Sequence, residues 1–268
     1  MLLDAFWLGL LVKVAATVSV AMAASIAAER GGPFWGGLVC ALPIGAGPGY
    51  VLLSLQADAR FVADSALASL GTNIATDVFM VAVVWLAPRR SAVVTLTIAI
   101  AAWAVAVVPL RGVAWTGLTA MLANLTVVVI ACWLTRGSDR DVALAVTPPR
   151  WFDLPVRALL IGLVVAGVVT ASDAIGPRWT GIALVFPIAT ASLTAVVHRR
   201  LGGAAAASTM ATALRALPGF LSALLMIHLL APVGLVLAFV VALASSIAWA
   251  IGMMLWRVYA RPAPAAAG

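Results

Sequence analysis

The stretch Gly32-Pro33-Phe34-Trp35-Gly36-Gly37-Leu38-Val39-Cys40-Ala41-Leu42-Pro43 constrains this chain more than any other, because it occurs twice. The second copy is Gly176-Pro177-Arg178-Trp179-Thr180-Gly181-Ile182-Ala183-Leu184-Val185-Phe186-Pro187, with Gly, Pro, Trp, Gly and Pro at matching places. The register continues without a gap: Lys13 falls on Arg157, Glu29 on Asp173, and Leu86-Ala87-Pro88 on Leu230-Ala231-Pro232. A chain dominated by Ala, Gly, Leu and Val yields chance matches. Paired Trp, paired Gly-Pro and paired acids at one constant offset mark a duplication, which decides architecture before any local reading does.

The medium follows from composition. Apolar residues make up 65% of the chain and charged residues 9%, against roughly a quarter charged in soluble domains. Several apolar runs reach the ~20 residues that cross a bilayer core. The fold class is therefore all-α: a polytopic transmembrane helical bundle. The arginines fall in short clusters between apolar runs, as topology signals do, so no nucleic-acid partner is expected. Cys40 and Cys132 both lie inside apolar runs, which argues for packed thiols rather than a disulfide or a metal site. Residues 5–28 read as a first span rather than a signal peptide, since Asp4 and Lys13 spoil the expected charge pattern.

Spans are expected at about 5–28, 33–55, 61–87, 91–110, 114–135, 157–174, 178–198, 204–231 and 233–256. This is a 4+1+4 arrangement: residues 1–112 form one repeat, 113–156 a central span and cytoplasmic linker, 157–258 the second repeat, and 259–268 a disordered tail. Arg30, Arg89, Arg90, Arg136, Arg140, Arg150, Arg199, Arg200, Arg257 and Arg261 fall on one side of it, and Arg60, Arg111 and Arg178 on the other. The crowded side is cytoplasmic by the positive-inside rule, which puts the N-terminus outside and the C-terminus inside. An odd number of crossings between the copies inverts the second relative to the first, the layout of many secondary transporters.

Polar and helix-breaking residues within the spans are the candidate site. Pro43 and Pro187 interrupt the second and seventh spans, and Gly45, Gly47, Gly49 and Tyr50 follow the first break, a run that is hard to keep helical. Thr190 and Ser192 follow the second. Paired breaks at matching positions point to a transporter binding site; kinks with close packing through Gly45 and Gly49 are the plainer alternative. Asp77, with Asn73 one turn before it, and Arg215 lie near mid-span in the third and eighth spans. They are expected to approach each other, either as proton carrier and anion receptor or as a structural ion pair. Lys13 and Arg157 suit snorkelling, Glu29 and Asp173 suit turns or caps, and His198 and His228 suit interfaces. No enzyme motif, cofactor-binding motif or metal-ligand spacing is present, so neither catalysis nor a cofactor is expected.

Gly181 through Phe186-Pro187, then Ala211 to Pro218, then the Ala-rich run ending near Trp249 give the second repeat its resemblance to the short GlpM-like bacterial inner-membrane proteins. The resemblance covers about the last ninety residues, and the first repeat echoes it more weakly. It implies an integral protein of the bacterial inner membrane and carries over no site. The expected function is a permease for a small polar or anionic solute, with a coupling proton or ion. The alternative is a non-transporting subunit or scaffold of an envelope-polymer, lipid or respiratory complex. Expected partners are the solute, the bilayer, and a second copy or another membrane protein.

Overall fold

The computed structural model describes residue 38 and residues 46–138 and 153–260, all in helices and turns with no strand among them. The helices are α1 (Ala46–Leu53), α2 (Ala59–Thr72), α3 (Ile74–Leu86), α4 (Ala92–Leu110), α5 (Gly117–Leu134), α6 (Asp153–Leu184), α7 (Ile188–Leu201), α8 (Gly203–Leu230) and α9 (Leu235–Ala260). Six stretches are long and apolar enough to cross a membrane: Ala59–Leu86, Ala92–Leu110, Gly117–Leu134, Ala158–Leu201, Gly203–Leu230 and Leu235–Arg257. The first span, Pro43, Gly45, the greater part of the 136–157 linker and residues 261–268 lie outside the described residues.

Local chemistry explains where these helices start. Asp58 caps α2 by accepting from Phe61 N, Ser91 caps α4 by accepting from Val94 N, and Thr116 and Thr119 form a reciprocal capping box on α5. The 44 residues of Ala158–Leu201 would make a straight helix about 66 Å long, twice the bilayer core. Gly176, at φ 75° and ψ 170°, lets the chain turn there instead.

Contacts fix the direction of each part. Arg178 Nη2 donates to Val113 O at 3.5 Å, and the Arg111 guanidinium lies over the Trp179 ring at 5.5 Å. His198 Nε2 lies 3.0 Å from both Ala87 O and Arg90 O. Residues 177–201 thus run from the Arg111 end of α4 to the Arg89 end. Gly202, at φ 86°, makes the next turn, and α8 starts with Gly203 against Ala87 O. It finishes where His228 Nδ1 meets Ala63 O at 3.0 Å. The α2–α3 rod and α8 are consequently antiparallel neighbours.

These two rods are the core. In their most apolar windows they are 67% and 56% buried, whereas α4, α5 and α9 are 22%, 22% and 17% buried. With no apolar solvent to escape from, helices in lipid associate through close approach. Ala205, Ala206, Ala211 and Ala213 are fully buried along α8 and permit it. The outer helices turn Val93, Val105, Leu118, Val129, Val236 and Leu243 outward, as helices apolar all round do against acyl chains.

One contact shows how tight the interior is. Gly181 packs against Ser65 O and Ala68 Cβ of α2, and Ser69 Oγ donates to Gly181 O at 2.6 Å. Because that spends the only Ser69 proton, Tyr50 OH donates to Ser69 Oγ, at 2.5 Å. A methyl on Gly181 has no room. Gly181→Ala is expected to cost about 1–3 kcal/mol, read as a lower melting temperature in detergent. Gly167→Ala, on α6 with nothing within 4 Å of a new Cβ, serves as the unaffected control.

Candidate functional site

Two interruptions face each other inside the bundle. The first divides α2 from α3 at Asn73. Asn73 N donates to Ser69 O and Asp77 N to Asn73 O, but Leu70 O takes the Asn124 side-chain amide of α5 at 2.7 Å. The same amide donates to Ala120 O at 2.8 Å, so its two protons are spent and its orientation is fixed. Gly71 alongside leaves room for the Trp115 ring, which would overlap any Cβ placed there.

The second interruption separates α6 from α7 at Val185-Phe186-Pro187. Pro187 has no N–H to continue the ladder. Phe186 N bonds back to Ala183 O at 3.2 Å and Ile188 N to Phe186 O at 2.7 Å, which closes a tight turn. Thr76 Oγ1 of α3 donates to Val185 O at 3.3 Å and stitches the two interruptions together. The Phe186 ring packs edge-on against Trp103 of α4, centroids 5.1 Å apart.

A cavity of about 70 Å³ lies at this junction. Its lining includes Ala46, Asn73, Thr76, Phe186, Pro187 and Thr190, with apolar walls from Val164, Val165 and Val168 of α6 and Leu217 and Phe220 of α8. None of the described lining residues is charged. One helix, α7, begins at its edge at Ile188, and Ala46, the first described residue of α1, lines it. From there α1 runs toward the loop that precedes α2, at the Arg111 end, and α7 runs toward the Arg89 end. The cavity therefore sits beside the N-terminus of α7, where Ile188 N turns back to Phe186 O at 2.7 Å.

The candidate residues divide accordingly. Asn73 and Thr190 line the cavity; the Thr190 hydroxyl donates to Pro187 O at 3.0 Å. Gly47, Gly49 and Tyr50 are helical, which corrects the expectation of an unwound run there. Gly49 is a packing contact against Leu184 and Val165, and Tyr50 is fully buried on Ser69. Ser192 bonds Ala189 O one turn back at 2.9 Å, off the cavity. Pro187 forms the break, while Pro43 and Gly45 fall outside the described residues.

Asp77 and Arg215 do not meet. Both Asp77 carboxyl oxygens are buried without a hydrogen-bond partner, so no arginine reaches them. Antiparallel packing puts Arg215 at a similar depth, but on the α8 face shared with Gly219 and Ser222. That face packs on α9, where Trp249 Nε1 donates to Arg215 O at 3.2 Å and Ser222 bonds Ser245. The face toward α2 and α3 carries Leu214, Leu217 and Leu221. Sequence reading missed Ser69 and Asn124; Asn124 was detectable as the one amide in the apolar 114–135 run. No protein-family model, curated protein or solved structure matches this chain.

Removing the Asn124 amide should loosen the Asn73 break. Asn124→Leu leaves Leu70 O buried without its donor, an expected loss of about 1–2 kcal/mol. Thermal unfolding followed by circular dichroism checks it. Thr126→Val, on the exposed side of α5 with a bond only to Leu122 O, should stay near the parent.

Proposed function

We propose that this chain is a secondary transporter for a small solute with a polar or anionic group, bound at mid-bundle between two inverted repeats. The observation that carries the reading is the cavity at which the Asn73 and Val185–Pro187 interruptions meet, with α1 and α7 running past it toward opposite ends. The N-terminus of α7 presents a positive dipole end to the cavity, an arrangement that receives carboxylates in broken-helix transporters. An anionic group would be held by the dipole of α7, in a cavity whose wall Thr76 and Thr190 shape through their bonds to Val185 O and Pro187 O. Arg215 has no part in it, since it lies on the α9 side.

The repeat reading has support beyond sequence. Ala59–Leu86 and Gly203–Leu230 both have 28 residues, and both ends correspond at the offset that relates Gly32 to Gly176. They run antiparallel, as inverted copies must. α1 and the start of α7 correspond in the same way. On this reading there are about nine spans, with residues 5–28 as the first. Arg89, Arg90, Arg136, Arg199 and Arg200 cluster toward one end, which the positive-inside rule makes cytoplasmic in a bacterial inner membrane. A cavity of about 70 Å³ has room for roughly two waters, so a larger solute enters only when one half-helix moves.

The test is a ligand thermal-shift screen of the purified protein against organic acids, amino acids, sugars and phosphates. At least one class should raise the melting temperature, and Thr76→Val or Thr190→Val should reduce that rise. Ser222→Ala, away from the cavity, should leave it intact. If no small solute shifts the protein while a co-purifying protein or lipid stabilises it, the scaffold reading replaces this one.

A further inference from the structure

The cavity lining does not account for the most costly group in the bundle. Asp77 is wholly buried on α3, and neither of its carboxyl oxygens has a hydrogen-bond partner. One turn earlier, Asn73 Oδ1 is likewise buried and unpartnered. Asn124 faces the same region with its oxygen, which lies 3.5 Å from Asn73 Nδ2. It cannot be turned to offer a proton, because its amide donates to Leu70 O and Ala120 O. Asn73 Nδ2 serves the Asn124 oxygen, which leaves both Asp77 carboxyl oxygens and Asn73 Oδ1 as buried acceptors with no donor.

A buried acceptor set without donors is expensive in a membrane interior, and an unpaired carboxylate most of all. A bound cation removes that cost. From these residues we infer that Asp77, Asn73 and Asn124 form a site for a dehydrated monovalent cation of the sodium class, adjoining the solute cavity. Three arguments select this ligand. The ligands are hard oxygens, which suit alkali and alkaline-earth ions and leave thiophilic metals unserved. There is one carboxylate, so a monovalent ion gives a neutral complex, whereas a divalent ion leaves a net charge in the low-dielectric interior. The hydrogen-bond ladder is interrupted at Asn73, with an amide and a carboxylate on successive turns beside it, and interrupted helices hold the coupling ions of broken-helix transporters.

The location gives the site a role, and this part rests on the transporter reading above. Asn73 belongs to both places: its oxygen is one of the unpartnered acceptors and the residue lines the cavity beside Thr76. Filling the cation site pulls Asn73 toward Asp77 and holds α2 and α3 in one relative setting. Thr76 then holds the α6–α7 turn through Val185 O. Cation occupancy and the shape of the solute cavity are thereby coupled through one side chain.

The experiment measures cation binding to the purified full chain with no solute present. Melting temperature is followed in sodium, lithium, potassium and choline chlorides at one pH and one ionic strength, with equilibrium binding of radioactive sodium ion in parallel. Sodium should raise the melting temperature over choline, by about 3–5 °C per tenfold rise in concentration past half-saturation. Close to one sodium ion per chain should bind. Asp77→Asn should abolish both signals, and Asp64→Asn, an exposed acid on α2, should change neither. If Asp77→Asn does not fold, Asn73→Ala gives the second reading, with an expected loss of at least tenfold in sodium affinity. Thr190→Val should keep the sodium response while weakening any solute response, so failure of either site is seen separately. An equal response to all four salts overturns the inference, as does a sodium response that survives Asp77→Asn. So does a stability that follows pH and ignores sodium, which would make Asp77 a proton site.

Discussion

The bond from Thr76 to Val185 O joins the two places where this bundle departs from regular helix. Irregular backbone inside a membrane protein is tolerated only where something other than lipid satisfies it. At Asn73 the Asn124 amide does this for Leu70 O; at Val185 the Thr76 hydroxyl does it from the opposite rod. Each break thus has a carbonyl satisfied by a side chain from another helix. The cavity, the approach of α1 to α6 and the buried acceptors all follow from that mutual support.

Small residues make the arrangement affordable in packing terms. Gly181 and Gly203 allow backbone to touch backbone, at Ser65 O and Ala87 O. The alanines of α8 do the same for α2 and α3. Larger side chains are concentrated where they fill gaps near the breaks: Phe79, Met80, Leu214, Leu217 and Leu221 are all buried there. The result is a dense interior rod pair wrapped by three helices whose apolar faces meet acyl chains.

Much of this was legible in the sequence, for reasons that can be named. The stretches 91–110, 114–135, 204–231 and 233–256 agree with α4, α5, α8 and α9 within a few residues, because apolar run length is a strong signal. The break at Pro187 was legible because proline lacks an N–H. The break at Asn73 was not, since its cause is an amide fifty-one residues away on α5. The glycine run after Pro43 misled in part: Gly47, Pro48 and Gly49 are helical and packed, with Gly49 against Leu184 and Val165. Asp77 and Arg215 were expected to approach each other, but the Asp77 carboxyl has no hydrogen-bond partner. On α8 nearly every face is apolar or small, so no periodicity tells which one meets α3.

The central claim is that the junction of the two breaks opens in turn to both sides of the membrane. The most direct measurement replaces Cys40 and Cys132 by alanine, introduces Thr190→Cys, and reconstitutes the protein in vesicles of known orientation. A membrane-impermeant thiol reagent is then applied from outside or trapped inside. The account predicts labelling from both faces, slowed when one end of the bundle is cross-linked shut. Labelling from neither face, or from one face alone whatever the condition, would contradict it.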